Sequence, residues 1–274
     1  MNMKIQNNNT HYKNNTHMPA SFKSNSRTYK SNYPADSKMA GEPFKVKCFT
    51  FSMRGTIDWN YFPHVLDDKF KNKEKVNVYS LGCSDGSEAY SFAISFLEEL
   101  RPDRAKKFLP ILASDKDDVI IDFAQQGFWN LAEYESKSEK LKNYIKPHSE
   151  KMHIPDDEAD IETKTYVVDD TLRKSVVFEK GLILDKLNSI EDDSNTVVLC
   201  KNVFLYMTLS EIAQVAKIAG EKLKKGSLFI IGESDTENLT QITGYLKKEN
   251  FKVLDEGYIF EKQASRTKTI DYKA

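Results

Sequence analysis

One stretch, residues 76–93, constrains the fold of this chain more than any other. It reads VNVYSLGCSDGSEAYSFA: a run of β-formers, then two glycines, then apolar residues at helical spacing. Gly82 and Gly86 allow positive φ and close approach of the backbone to a ligand. Strand, glycine turn and helix in this order place backbone N–H groups at the carboxyl end of a parallel strand, where open α/β sheets bind nucleotides.

The spacing of the glycines in this turn narrows the class of ligand, because two common phosphate-binding patterns are absent from it. It matches neither Gly-x-Gly-x-x-Gly nor Gly-x-x-x-x-Gly-Lys, the patterns that serve di- and triphosphates. A turn that carries Asp85 and Glu88 suits a nucleoside with a cationic appendage and no phosphate, a description that S-adenosylmethionine fits. On shape alone, an ordinary β–α turn explains the same residues equally well.

The rest of the chain alternates between segments with strand-like patterns and segments with apolar residues at helical spacing. We predict further strands at residues 108–115, 176–178, 196–200 and 227–231, and closing strands near 251–254 and 258–260 that could pair with each other. Strands that alternate with helices indicate an α/β fold with a parallel-rich sheet and helices on both faces.

Local signals predict where the intervening helices begin and end. Asp117 is placed to cap a helix that ends at Gly127. The segment Thr208-Leu-Ser-Glu211 has the form of a capping box, and Gly226 marks the predicted end of its helix. A final helix is predicted over residues 236–248.

Three segments depart from this alternation. Residues 1–44 are rich in Asn, Ser and Lys, carry a basic excess and predict a disordered tail. The ordered domain is predicted over residues 45–262, followed by a flexible terminus at 263–274. Within it, the polar stretch at about 130–175 is too long for a simple loop and predicts a small inserted subdomain.

Composition limits the classes of function. A formal net charge of −1 favours neither nucleic acid nor membrane as a partner, and no apolar run reaches the roughly 20 residues of a membrane span. The three cysteines and five histidines lack metal-ligand spacing, so we expect no metal site. Dispersed cysteines and the absence of a signal peptide indicate the cytoplasm.

Asp115 is the second candidate site residue. It ends the second predicted strand, where a carboxylate can accept hydrogen bonds from both ribose hydroxyls of a nucleoside bound at the neighbouring glycine turn. A helix cap or a surface acid is the structural alternative. The glycine turn upstream favours ribose binding.

Five blocks of the sequence resemble the CheR-type chemoreceptor glutamate methyltransferases. The two longest are Gly82-Cys-Ser-Asp-Gly-Ser-Glu-Ala-Tyr-Ser-Phe-Ala93, which is similar to that family's Gly-Cys-Ser-Thr-Gly-Glu-Glu-Pro-Tyr-Ser-x-Ala, and Cys200-Lys-Asn-Val-Phe-Leu-Tyr-Met207, which is similar to its Cys-Arg-Asn-Val-x-Ile-Tyr-Phe. The other three are Thr50-Phe-Ser-Met-Arg54, Ala113-Ser-Asp-Lys-Asp117 and Gly232-Glu-Ser-Asp235. All five occur in family order over roughly residues 49–262.

The resemblance implies a class I S-adenosylmethionine-dependent methyltransferase fold, which is Rossmann-like, and a role for each matched residue. Cofactor-binding residues would be Gly82, Ser84 and Gly86 around the methionine portion, Glu88 at its ammonium, Asp115 at the ribose, and Asn202 nearby. Arg54 and Tyr206 match the family's catalytic positions beside the transferred methyl. From the residues alone, the favoured interpretation is a surface cation for Arg54 and a core aromatic at a strand end for Tyr206.

Three functions remain open from the sequence. The first is a protein-glutamate O-methyltransferase whose protein substrate carries an acidic side chain, a chemoreceptor in this family's case. The second is a catalytically weak adaptor that binds the cofactor, suggested by Ser52-Met53 in place of the family's Phe-Phe and by a polar tail in place of its helical amino-terminal domain. The third is a methyltransferase for another substrate class. The neutral charge makes a nucleic-acid substrate the weakest of these.

Overall fold

The computed structural model describes residues 27–29, 44–46, 58–132, 138–149, 163–191, 195–232, 235, 239–255 and 258–264. The chain divides into two compact units, one of residues 1–49 with 155–158 and one of the remainder. In the first unit, strands β1 (Arg27–Tyr29) and β2 (Phe44–Val46) pair antiparallel. The rest of the predicted tail lies outside the described residues, so its disorder stays a prediction.

The second unit contains a seven-stranded sheet in which parallel pairs predominate. Its strands are β3 (Asn77–Leu81), β4 (Ile111–Asp115), β8 (Val176–Lys180), β9 (Thr196–Cys200), β10 (Leu228–Ile231), β11 (Phe251–Asp255) and β12 (Ile259–Lys262). Their order across the sheet is β11-β12-β10-β9-β3-β4-β8. The five strands from β10 to β8 run parallel, and β12 joins β10 and β11 in antiparallel pairs. The parallel-rich sheet and the pairing of the two closing strands confirm the prediction.

Helices cover both faces of this sheet. They are α1 (Phe62–Lys69), α2 (Ser87–Glu99), α3 (Pro102–Ala105), α4 (Asp118–Gln125), α5 (Glu139–Lys142), α6 (Asp170–Lys174), α7 (Ile183–Asn188), α8 (Leu209–Lys222) and α9 (Leu239–Lys248), with a 3-10 turn at Phe204–Tyr206. Within the described part of the chain, no helix has the length and apolar character to cross a bilayer.

Strand β9 shows why the sheet holds two cores. All five of its residues are buried. Val197 and Leu199 enter the core under α1 and α2, whereas Val198 and Cys200 enter the core under α8 and α9. Alternate side chains of a strand point to opposite faces, so a continuous apolar run is what a sheet covered on both sides requires.

The helix starts predicted at Asp117 and Thr208 are correct, and one predicted end is wrong; the start predicted at residue 236 lies outside the described residues. The Asp117 carboxylate accepts hydrogen bonds from the N–H groups of Val119 and Ile120, and both halves of the Thr208–Glu211 capping box form. Helix α8 ends at Lys222 and not at Gly226. The chain is already extended at Leu223, and Gly226, at φ +94°, serves the turn before β10 instead.

A second, three-stranded antiparallel sheet occupies the region of the predicted insert. It consists of β5 (Phe128–Ala132), β6 (Ile145–Pro147) and β7 (Thr163–Val168), in the order β5-β7-β6. Trp129 in β5 is fully buried, and its indole N–H donates to Ser87 Oγ at 2.7 Å. This bond joins the small sheet to the first residue of α2.

Candidate functional site

The turn between β3 and α2 adopts the backbone that its glycines predicted. Gly82, Ser84 and Gly86 have φ values of +74°, +52° and +85°, in the left-handed region. A Cβ at Gly86 would lie 2.7 Å from Cζ of Phe178, so this position leaves no space for a side chain. The bend lets α2 begin directly after Gly86, at the carboxyl edge of the sheet.

Asp115 joins the end of β4 to this turn. Its Oδ2 accepts a hydrogen bond from the N–H of Ser84 at 2.9 Å, and its Oδ1 accepts one from the N–H of Asp117 at 3.2 Å. Burial raises the pKa of the Asp115 carboxyl, although these N–H donors oppose the rise. Each carboxylate oxygen has a second lone pair, which is the acceptor that a ribose hydroxyl requires.

Glu88 lies in the first turn of α2 and forms a buried ion pair with Lys201. The Lys201 Nζ and Glu88 Oε2 are 3.3 Å apart, and their side chains are 4% and 15% exposed. The ammonium also lies 5.5 Å from the centre of the Trp59 ring and 5.9 Å from that of Phe92, within cation–π range. Lys201 was not among the predicted site residues; its place directly after a buried strand was the available signal.

Six buried side-chain atoms have no hydrogen-bond partner among the described residues, and two of them belong to the glycine turn and to the aromatic ring by Lys201. They are the Ser84 hydroxyl and the indole N–H of Trp59. Buried donors are rarely left unsatisfied, because each costs free energy. Together with the acceptor capacity of Asp115 and Glu88, they fit a polar ligand that has both hydroxyl and charged groups.

The turn after β9 carries two more of the predicted site residues, Asn202 and Tyr206. Asn202 has φ +56°, and its N–H donates to the Asp235 carboxylate at 2.8 Å. Tyr206 ends the 3-10 turn and is 53% exposed, which excludes the alternative of a core aromatic. Arg54 lies outside the described residues, so the structure does not place it.

Asp235 is a site residue that sequence reasoning missed. It is fully buried, and burial raises its pKa to about 6 against the opposing effect of the backbone N–H groups that it accepts. The signal was present in the last block of the family pattern, where an acid stands three residues after Gly232.

The chemistry of the site is that of binding and orientation. Its groups are hydroxyl acceptors, a carboxylate paired with an ammonium, and an exposed phenol. The two described cysteines, Cys83 and Cys200, are buried, and burial raises their thiol pKa well above the ordinary value. No group of three or more His, Cys, Asp or Glu side chains in the described ranges could hold a metal ion.

Comparison with known proteins gives a family that covers most of the chain. The family model described as "CheR methyltransferase, SAM binding domain" matches residues 49–253. This range includes the glycine turn, Asp115, Lys201 and Asp235.

Curated relatives agree with this match. A chemotaxis protein methyltransferase of Borreliella burgdorferi is 25% identical over 189 residues, covering 68% of this chain and 62% of that protein. One of Listeria monocytogenes is 26% identical, covering 65% and 60%. Chemotaxis protein methyltransferase 2 of Vibrio cholerae is 26% identical, covering 69% and 61%. The chain thus spans about three fifths of the length of the curated relatives it matches.

Proposed function

Because the chain belongs to the CheR methyltransferase family, we propose that it transfers a methyl group from S-adenosylmethionine to a glutamate carboxylate of a protein. The observation that carries this proposal is the bond between Asp115 and the N–H of Ser84, which joins the ribose acceptor to the glycine turn at 2.9 Å. An ordinary β–α turn does not need a buried acid from the neighbouring strand.

The cofactor would be held by the residues at this edge of the sheet. The turn of Gly82, Ser84 and Gly86 would enclose the methionine portion, and Asp115 would accept from the ribose hydroxyls. Glu88 would accept from the ammonium of the amino acid while it keeps its bond with Lys201, since a carboxylate has about four lone-pair sites. Asn202 would lie alongside the cofactor.

In this mechanism the protein positions the reacting groups and does not need to transfer a proton. The cofactor supplies an electrophilic methyl group on a sulfonium. A glutamate carboxylate is ionised at neutral pH, since its ordinary pKa is about 4.3, so no general base is needed. Arg54 would orient the acceptor carboxylate with its guanidinium fork, and Tyr206 would donate a hydrogen bond to it. Closely packed walls would keep water away from the reacting atoms.

The substrate and its location are part of the proposal. The relatives are named as chemotaxis protein methyltransferases. We therefore infer that the methyl acceptor is an acidic residue of a chemoreceptor, methylated from its cytoplasmic side. Two buried thiols that form no disulfide suit a reducing compartment.

The test is transfer of labelled methyl from S-adenosylmethionine to proteins in a lysate of the source organism. A methylated glutamate is an ester, so alkali releases the label as volatile methanol, whereas methyl groups on nitrogen resist it. Arg54→Ala and Tyr206→Phe should each reduce transfer about tenfold or more and leave the affinity for S-adenosylhomocysteine within about threefold, because both groups address the acceptor.

Three results would contradict the proposal in different ways. Absence of S-adenosylhomocysteine binding would remove the cofactor site itself. Alkali-stable label would indicate another substrate class. Tight cofactor binding without any labelled product would favour an adaptor.

A further inference from the structure

The turns that follow β9 and β10 are joined by one buried carboxylate. Asp235 Oδ2 accepts hydrogen bonds from the N–H of Asn202 at 2.8 Å and from the N–H of Gly232 at 3.0 Å. Its Oδ1 accepts from the N–H of Leu205 at 3.3 Å. Asp235 itself is completely inaccessible to solvent. Two of its three bonds therefore fix the turn that carries Asn202 and Tyr206.

The turns after β9 and β10 can also approach each other closely because Gly232 has no side chain. A Cβ there would lie 2.2 Å from Oδ1 of Asn202 and 2.4 Å from its backbone N. Neighbouring strands can therefore bring their ends this close only with glycine at that position. Asn202 thus donates to Asp235 and lies close to Gly232, whose own N–H donates to the same carboxylate oxygen.

Tyr206 is carried on an anchored turn. Phe204 is 1% exposed, and its ring lies 6.4 Å from that of Phe229 in β10. Leu205, the next residue, donates to Asp235, and the N–H of Tyr206 donates to the carbonyl of Val203 at 3.0 Å. The exposed phenol thus follows a segment that is fixed at both Phe204 and Leu205.

The charge of Asp235 makes a purely stabilising role a poor explanation. Its pKa in the folded chain, about 6, lies above the ordinary value, so folding is favoured by its protonated form. This contribution to stability is full below the unfolded pKa and is lost as pH rises through about 6. At neutral pH the ionised group costs stability, yet it offers all the lone pairs of both oxygens to the backbone N–H groups, whereas protonation turns one oxygen into a donor and removes part of that capacity. Such a cost is typical of residues retained for function.

We propose that Asp235 is a positioning residue of the methyl-transfer site, whose carboxylate holds Asn202 beside the cofactor and Tyr206 beside the methyl acceptor. This inference rests on the proposed function, because it assigns Asp235 a role in the same reaction. Asp235 touches neither the cofactor nor the acceptor; it acts through the turn at residues 202–206.

The test compares Asp235→Asn with the wild-type chain. The amide presents a donor to backbone N–H groups, so it cannot make the same three bonds. With labelled S-adenosylmethionine and a lysate of the source organism, transfer per folded molecule should fall at least tenfold. The folded fraction is measured by circular dichroism on the same samples. Gly232→Ala, which displaces Asn202 from the other side, should reduce transfer in the same way.

Asp67→Asn is the matched control, since it removes a carboxylate that pairs with Lys107 away from the site. It should lower the melting temperature and leave transfer per folded molecule within about twofold of wild type, as expected for independent sites. If Asp235→Asn also lowers only the folded fraction, the residue is structural and the inference is wrong. If the wild-type chain neither binds S-adenosylhomocysteine nor transfers methyl, the proposed function fails first.

A pH profile of the wild-type chain tests the inference even if the variants do not fold. With S-adenosylmethionine at a saturating concentration, so that weaker binding through Asp115 does not contribute, transfer should decline as pH falls through about 6, the pKa of Asp235, while the folded fraction is maintained. The titratable group that faces Asp235 within the described ranges is the Cys200 thiol, whose pKa is raised by burial and then by the charges of Asp235 and Glu88. That thiol stays protonated throughout this range. A rate that is flat between pH 7.5 and 5 would overturn the inference.

Discussion

A buried ion pair of a lysine and a carboxylate lies at each end of the parallel strands, one at their amino ends (the amino edge) and one at their carboxyl ends (the carboxyl edge). The two pairs differ in the groups that surround them. At the amino edge, Lys107 pairs with Asp67, and the ammonium also lies 3.3 Å from the carbonyl oxygen of Phe70. At the carboxyl edge, Lys201 pairs with Glu88 at 3.3 Å. Both ammonium groups lie over an aromatic ring, Lys107 at 5.1 Å from the centre of Phe108 and Lys201 at 5.5 Å from that of Trp59, so this contact does not distinguish the pairs. The lysine side chains are 6% and 4% exposed, so burial does not distinguish them.

The two ion pairs differ in whether protein atoms satisfy the polar groups around them. Lys107 uses backbone carbonyls of α1 and of the residue after it, so protein atoms satisfy most of its donors. At the carboxyl edge, the indole N–H of Trp59, whose ring lies by Lys201, and the hydroxyl of Ser84 in the glycine turn have no partner among the described residues. At the amino edge, Asp67 Oδ1 also has no hydrogen-bond donor among the described residues, but the charges of Lys107 and Arg104 lie against it. The ends of parallel strands diverge where the chain turns into helices, and this leaves polar groups that a ligand can satisfy. A buried ion pair by itself is therefore weak evidence for a functional site, and its surroundings decide.

The largest effect should come from breaking the amino-edge pair. Lys107→Met leaves Asp67 with the partly exposed Arg104, 3.6 Å away, as its remaining cation. The free energy of unfolding should therefore fall by about 3 kcal/mol, the low end of the range for buried pairs that lose one partner. Urea unfolding measures this change. The affinity for S-adenosylhomocysteine per folded molecule should stay within about twofold of wild type, since the sites are independent. A loss of affinity as large as the loss of stability would show that the two edges do not have separate roles.

A smaller effect on binding should come from the carboxyl edge. Asp115→Ala removes the proposed acceptor for the ribose hydroxyls and should weaken the binding of S-adenosylhomocysteine by about 1–3 kcal/mol, the cost of leaving buried polar groups unpaired. Isothermal titration calorimetry measures it.

Asp117→Ala is the matched control for this substitution, because it removes a helix cap only two residues away. It should cost about 1 kcal/mol of stability and leave the affinity unchanged. Equal effects of the two substitutions on affinity would mean that Asp115 is itself no more than a local support of the turn.

The smallest effect is a pH dependence of cofactor affinity. Burial raises the pKa of Asp115 in the folded chain, so its contribution to stability is lost as pH rises through that value. Ribose hydroxyls bind the ionised form, so the affinity for S-adenosylhomocysteine should instead fall as pH is lowered toward this pKa. The loss cannot exceed about tenfold per pH unit, the limit for a single proton. Asp115→Asn should remove the dependence, and an unchanged pH profile in that variant would assign it to another group.

The sequence by itself determined the order of strands and helices and the left-handed backbone of the glycine turn. The strand, glycine turn and helix at residues 76–93 predicted where along the sheet a nucleotide-like ligand would bind. This prediction was possible because strand and helix periodicity and left-handed glycines are local properties of the chain. The caps at Asp117 and Thr208 were equally readable, since each bond spans two or three residues. The end of α8 was placed four residues late, because a glycine can serve either a helix end or the next turn.

Only the tertiary structure decided how distant side chains are paired. Nothing local indicates that Lys201 contacts Glu88, or that Asp235 accepts from Asn202, a residue 33 positions earlier. Side-chain chemistry shows that a charge needs a partner when it is buried, but the partner is chosen by which strand ends lie side by side. In this chain β9 lies between β3 and β10, and that adjacency brings the glycine turn, Lys201 and Asp235 to one edge of the sheet.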